Sequence, residues 1–202
     1  MKSQDLQVML QAFPKQYAED VKQIFTLLAC KHSLTPGEDT THIKLEHEAI
    51  RMPGRIYYKE INDSAMNHLS EMQKRLIYCY FLCHHNGFLR QKYLRRLLES
   101  KHLYEHELPY VIYLTGSYLV EIIDDIYDAF ELVIHCGLDQ LIVNNLRFFM
   151  TIEGRIASYW GEYYQHIPKK KYSGFKLQGY YLKTKKQFIR STKNSKHTKV
   201  GK

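Results

Sequence analysis

The chain has 202 residues, 45% hydrophobic and 25% charged, enough for one domain, or a domain plus an appendage, to bury a core without metals or disulfides. The longest uncharged apolar run, Leu108 to Val120, is interrupted by Thr115, Gly116 and Ser117 and falls short of the ~20 residues of a membrane-spanning helix. The net charge of +8 is unevenly spread: Lys169 to Lys202 holds twelve Lys or Arg and no Asp or Glu, leaving 17 basic residues against 21 acidic ones before it.

The opening residues MKSQDLQVMLQAFPKQYAED carry charges and glutamines where a secretory signal needs an apolar centre. Cys30, Cys79, Cys83 and Cys136 sit in apolar stretches, so they read as reduced thiols and the expected location is cytoplasmic. Leu6, Leu10, Phe13, Tyr17, Val21, Ile24 and Leu28 recur at helical spacing. Pro14 breaks that stripe into two helices, and Leu34 to Asp39, with Pro36-Gly37, ends the pair. Thr41 to Ile61 alternates β-branched and aromatic residues around Met52-Pro53-Gly54 and predicts two or three strands.

Ser70 and Gln73 have capping-box spacing for a helix through Cys83, with Leu76, Tyr80 and Cys83 on one face. Asn86-Gly87 supplies the left-handed turn that ends it. The next helix, Phe88 to about Glu99, is expected to turn Phe88, Leu94, Leu97 and Leu98 inward and Arg90, Lys92, Arg95 and Arg96 largely outward. Pro109 opens a predicted long central helix reaching towards His135, and Gly137 stops it. Helices over 138–150 and 151–165 follow, and His166-Ile167-Pro168 marks the start of the tail.

The block HHNGFLRQKYLRRLL resembles the paired-helix unit of HEAT-type solenoids, and is similar to one found in uncharacterised bacterial helical proteins. These resemblances imply stacked helical hairpins and no activity. The expected fold is predominantly all-α, an irregular helical bundle or HEAT-like hairpins with one small β-hairpin near residues 41–61. The expected division is a helical body over 1–168 and a basic, aromatic-rich tail over 169–202, partly packed or disordered.

Several motifs carry chemistry. His102, Glu105 and His106 spell H-x-x-E-H, the inverted zincin order, in which two histidines one helical turn apart hold zinc beside a glutamate base. Pro109 follows closely and favours a solvated connection between helices instead. Asp124-Asp125-Ile126-Tyr127-Asp128 resembles the aspartate-rich motif of isoprenoid synthases, and Glu121, Asp125 and Asp128 share a helical face suited to magnesium; a solvated acidic face competes with it. Cys79 and Cys83, beside His84 and His85, have the spacing of a soft-metal pair, with packing favoured. The helices around Gly87 also resemble a DNA-binding helix-turn-helix, with Arg90, Lys92, Arg95 and Arg96 on the second; a HEAT-like or bundle hairpin with ordinary surface arginines is favoured over it. Tyr159, Trp160, Tyr163 and Tyr164 form an aromatic group expected to fill a core or interface.

The tail provides the strongest functional signal, because cations alternate with rings that stack on unpaired bases. The expectation is a non-enzymatic interaction module, without cofactor or bound metal, that captures RNA or single-stranded DNA. Its candidate residues are Lys169, Lys170, Lys171, Tyr172, Lys176, Tyr180, Tyr181, Lys183, Lys185, Lys186 and Arg190, joined by Arg90, Arg95 and Arg96. The alternatives are a metal-dependent hydrolase using the H-x-x-E-H or acidic-helix cluster, a protein-binding helical scaffold, and an acidic-lipid partner for the tail.

Overall fold

In a computed structural model of the protein, which describes residues 2–29 and 40–197, Pro14 sets the first corner of the chain. Helix α1 (Lys2–Gln11) ends before it, a 3-10 turn spans Lys15–Tyr17, and α2 (Ala18–Ala29) follows. Pro14 is extended, at φ −55° and ψ 142°, because a proline cannot continue the hydrogen-bonded ladder. On α1 Asp5 and Met9 are buried, followed by Ala12 and Phe13 just past its end; Leu6 and Leu10 are only half-buried, so its face is rotated from the expected stripe. The predicted stop at Leu34 to Asp39, and Cys30, lie outside the described residues.

Strands β1 (Thr40–Lys44) and β2 (Ala49–Pro53) form one antiparallel pair, with Ile43 opposite Ile50 and Thr41 opposite Met52. Strand alternation sends Ile43, Ile50 and Met52 into the core while His42 and Arg51 stay exposed. The chain after β2 is pinned by a parallel bridge between Ile56 and His84: the Ile56 amide donates to the Cys83 carbonyl at 2.9 Å, and the His85 amide donates to the Ile56 carbonyl at 3.0 Å.

Asn62 caps the short α3 (Asp63–Met66) through the Ala65 amide at 2.9 Å. The Ser70–Gln73 capping box opens α4 (Glu71–Phe81) with both reciprocal bonds made, at 3.2 and 3.1 Å. Gly87 does not close this helix in a left-handed conformation. It begins α5 (Gly87–Glu99), because Asn86, in extended conformation, accepts the Phe88 amide at 2.9 Å and acts as an N-cap. That change of role rotates the start of α5, leaving Phe88 79% exposed and Arg90 buried, the reverse of the predicted faces. Helices α4 and α5 pack on each other as a hairpin.

The predicted long helix is three helices, α6 (Leu108–Leu114), α7 (Val120–Asp128) and α8 (Phe130–His135). The first break follows Leu114, where the chain divides into two compact units, Met1–Leu114 and Thr115–Lys202. Ser117 turns its hydroxyl onto the Leu119 amide at 3.2 Å, offering the backbone an alternative to the helical ladder. Gly116 sits against α10 (Leu146–Tyr163) so closely that an added Cβ would lie 3.0 Å from Cβ of Arg155. Between α8 and α9 (Leu138–Asn144), Gly137 adopts φ +96°, the left-handed conformation its position demands. Gly137→Ala is expected to lower stability by about 1–2 kcal/mol, read from urea unfolding. Since nothing lies within 4 Å of an added Cβ there, the loss measures backbone strain alone. The expected helix boundary at Thr151 falls instead at Asn145, whose side chain donates to the Leu141 carbonyl at 3.0 Å.

The residues expected to form a tail belong to the second unit. Helix α11 (Ser173–His197) packs on α7, α9 and α10. No helix among the described residues is long and apolar enough to cross a membrane.

Candidate functional site

Helix α11 contains seven Lys or Arg and no Asp or Glu, yet it is anchored by a conventional apolar stripe. Leu177, Tyr181 and Thr184 are buried at helical spacing, with Tyr172 buried just before the helix. Tyr181 packs edge-on against Phe149 at 5.0 Å, and its hydroxyl meets Thr115 Oγ1 at 3.4 Å. Tyr172 stacks on Tyr164 at 5.8 Å; burial, with Tyr164 and Asp124 near, pushes its phenol up to about 12. Tyr180 and Thr184 both donate to Asp139 Oδ1, at 3.0 and 2.9 Å. These rings hold the helix in place. The expectation that Tyr172 and Tyr181 stack on bases is therefore corrected: both are at most 1% exposed.

The cations divide in the same way. Lys185 is drawn to Glu153 on α10 at 2.5 Å, with both side chains mostly covered. Lys176 lies 4.5 Å from the centroid of Tyr127, and Lys169 lies 4.8 Å from that of Trp160. Lys183, Lys186 and Arg190 are exposed on one face of α11 and form no ion pair among the described residues. Together with Leu182, Gln187 and Gly179 they line an open hollow of about 450 Å³. Lys170 and Lys171 are also exposed.

The predicted arginine face of α5 is not assembled as expected. Arg90 is buried. Arg96 donates to Asp63 at 2.9 Å and lies over the Tyr93 ring, and its bond and charge hold the Asp63 carboxyl below its ordinary value. Lys92 is bound to Glu60 at 2.6 Å. Of the three predicted arginines only Arg95 is exposed.

The H-x-x-E-H residues do not lie on one helix; they run through a loop into a 3-10 turn, Glu105–Glu107. His102 is exposed, Glu105 accepts the Glu46 amide at 2.6 Å, and His106 is buried, its ring 4.8 Å from Tyr17. Nor is this connection simply solvated, since His106 and Glu107 are enclosed. On α7, Ile122, Ile123 and Ile126 face the core, while Glu121 and Asp128 are exposed and Asp125 is half-buried. Among the described residues, no group of three His, Cys, Asp or Glu side chains is placed to hold a metal ion. Cys79 is buried on α4's apolar side and Cys83 in the turn just past its end, and burial pushes both thiols up. Trp160 packs on Phe175 at 5.5 Å and donates to the Ile167 carbonyl at 2.9 Å, whereas Tyr163 is 56% exposed.

Two arrangements have no counterpart among the sequence expectations. Arg75 and Glu107 form a buried two-pronged ion pair, Nε to Oε1 and an amino group to Oε2, both at 2.6 Å. Burial works against the Arg75 charge, but the bonds to Glu107 outweigh it and raise the guanidinium above its ordinary value. The second is a surface where Arg55, Tyr57 and Lys59 alternate with buried Ile56 and Tyr58. Tyr57 stacks on His85 at 4.9 Å and 19°, beside the turn that carries exposed Phe88. The RIYYK alternation was a signal for that surface; nothing in the sequence signalled the exposure of Phe88. No protein-family model matches the chain, and no curated protein or solved structure matches it.

Proposed function

We propose that the protein is a non-enzymatic nucleic-acid-binding module in which α11 captures the phosphate backbone. The observation that carries this is the segregation of charge within one unit: residues 115–168 hold two basic against eight acidic residues, while α11 holds seven basic and none. Packing α11 by its tyrosines leaves Lys183, Lys186 and Arg190 facing outward with no ion-pair partner among the described residues. At a rise of about 1.5 Å per residue these three span about 10.5 Å, roughly three phosphates of one strand at about 3.4 Å each. With Tyr172 and Tyr181 buried, α11 supplies electrostatic capture and no base contacts, so its binding is indifferent to sequence and sensitive to salt.

The variant Lys183→Gln/Lys186→Gln/Arg190→Gln tests this against a labelled single strand. The expected result is about tenfold or greater loss of affinity at low salt, with the slope of log K against log salt shallower by about two. Unchanged affinity and slope in that variant would reject the proposal. Leu182 and Ile189 are exposed beside the cations, as on helices that lie on anionic membranes, so vesicles containing phosphatidylserine form a second arm. Preference for vesicles over oligonucleotide would reassign α11 to a lipid surface.

A further inference from the structure

We propose that the α4–α5 turn and the Arg55–Lys59 segment of the first unit form a stacking platform for the unpaired bases of a single-stranded nucleic acid. This rests on the nucleic-acid function proposed above, to which α11 contributes phosphate contacts only. The platform is a different surface, on different residues: the exposed rings of His85 and Phe88 and the half-buried ring of Tyr57, flanked by cations that form no ion pair among the described residues.

Its rigidity comes from the backbone. The Ile56–His84 bridge clamps the extended segment to the turn, so strand alternation buries Ile56 and Tyr58, exposes Arg55 and Lys59, and leaves Tyr57 half-buried between them. Behind it, buried His84 ties the two pieces together: its Nε2 bonds the Tyr58 carbonyl at 2.7 Å, and its Nδ1 accepts the Asn86 amide at 3.0 Å. The ring also lies parallel to Phe81, at 5.5 Å and 2°. With Nδ1 accepting, Nε2 carries the proton and the imidazole is neutral, so both bonds are satisfied at once. Tyr57 and His85 are thereby held near-parallel at the surface, with His85 exposed.

Phe88 lies three residues beyond His85, at the start of α5, and is the proposed further ring of the surface. It has the greatest exposure of the described large hydrophobic side chains, at 79%, and its backbone is fixed because its own amide donates to the Asn86 cap. An exposed ring on ordered backbone gives a base a π-face without a large ordering cost. The charges choose among partners. Arg55 and Lys59 are exposed on either side of Tyr57 and form no ion pair among the described residues, whereas Lys92 and Arg96 on α5 are matched by Glu60 and Asp63. Cations spaced around flat rings suit a chain that alternates phosphates with bases; an acidic peptide would use the cations and leave the rings without partners.

The test uses the full-length protein with a labelled homopyrimidine strand and an abasic strand of equal length. Wild type is expected to prefer the base-bearing strand by roughly 5- to 100-fold. Phe88→Ala, which removes only an exposed ring, and Tyr57→Leu should each bring that preference towards unity while leaving abasic binding and thermal unfolding unchanged. Photocrosslinking with 5-iodouracil in the strand should place adducts on Tyr57, His85 or Phe88. Equal binding of the two strands by wild type, a preference that survives both substitutions, or adducts confined to α11 would each overturn the platform. So would displacement of the base-bearing strand by polyglutamate as effectively as by the strand itself. The α11 glutamine variant separates the two sites: it should weaken both strands alike and preserve their ratio. If it weakens neither while ratio and adducts persist, the function assigned to α11 fails and the platform stands.

Discussion

Glu107→Ala is expected to destabilise the first unit by about 3–5 kcal/mol, measured by urea unfolding. Glu107 is fully enclosed, and its carboxylate accepts two bonds from Arg75 at 2.6 Å and the Tyr104 amide at 2.8 Å. Arg75 also donates to Ser100 Oγ at 2.7 Å and to the His102 carbonyl at 2.8 Å, so the pair ties α4 to the chain between α5 and α6. Removing the carboxylate leaves a guanidinium out of water without its counter-charge, which costs far more than the pair contributes net. For that reason Arg75→Met/Glu107→Leu should recover much of the loss, because neither charge then has to be desolvated. A loss below about 1 kcal/mol for Glu107→Ala, the range of exposed pairs, would show that the pair is not buried in solution.

A second large effect is expected on acidification. His106 is buried against the Tyr17 and Tyr104 rings, and its Nε2 finds no hydrogen-bond partner among the described residues. Burial, aided by the nearby Arg75 charge, depresses its imidazole to about 4. In the unfolded chain the same group titrates near its ordinary value of about 6.5. Between those values the unfolded chain takes up a proton that the folded one refuses, so stability is complete above about pH 6.5 and declines as pH falls towards 4. The full loss is about 3 kcal/mol. His106→Phe keeps an aromatic ring beside Tyr17 and Tyr104 without the titrating nitrogen, and should remove this part of the slope. His84, depressed in the same direction chiefly by burial, leaves a residual one. Parallel stability curves for wild type and His106→Phe from pH 7 to 4 would contradict this assignment.

Local signals were legible where one residue decides the backbone. Pro14 ended a helix, Ser70 and Gln73 opened one, Gly137 turned left-handed, and the alternation around Ile43 and Ile50 gave a hairpin. Helical periodicity misleads where it continues through a break in the chain. Thr115, Gly116 and Ser117 interrupt an otherwise helical apolar pattern, and only the packing of Gly116 against Arg155 shows why the chain must turn there. Phe88 and Arg90 exchanged their expected places for a similar reason: an Asn-Gly pair can close one helix or open the next, and the Ile56–His84 bridge beside it accompanies the second outcome.

The charge block after Lys169 was plain in the residues, since counting cations needs no coordinates. Which of them face water was not, because the same stretch carries Tyr172, Leu177 and Tyr181, and an amphipathic segment declares its buried side only when there is a surface to pack on. Long-range pairs are further from reach. Arg75 and Glu107 stand 32 residues apart, and no local pattern distinguishes them from the chain's other charges. Helix starts, turns and net charge follow from neighbours along the chain; burial, ion pairing and the exposure of a ring such as Phe88 depend on neighbours brought together by folding.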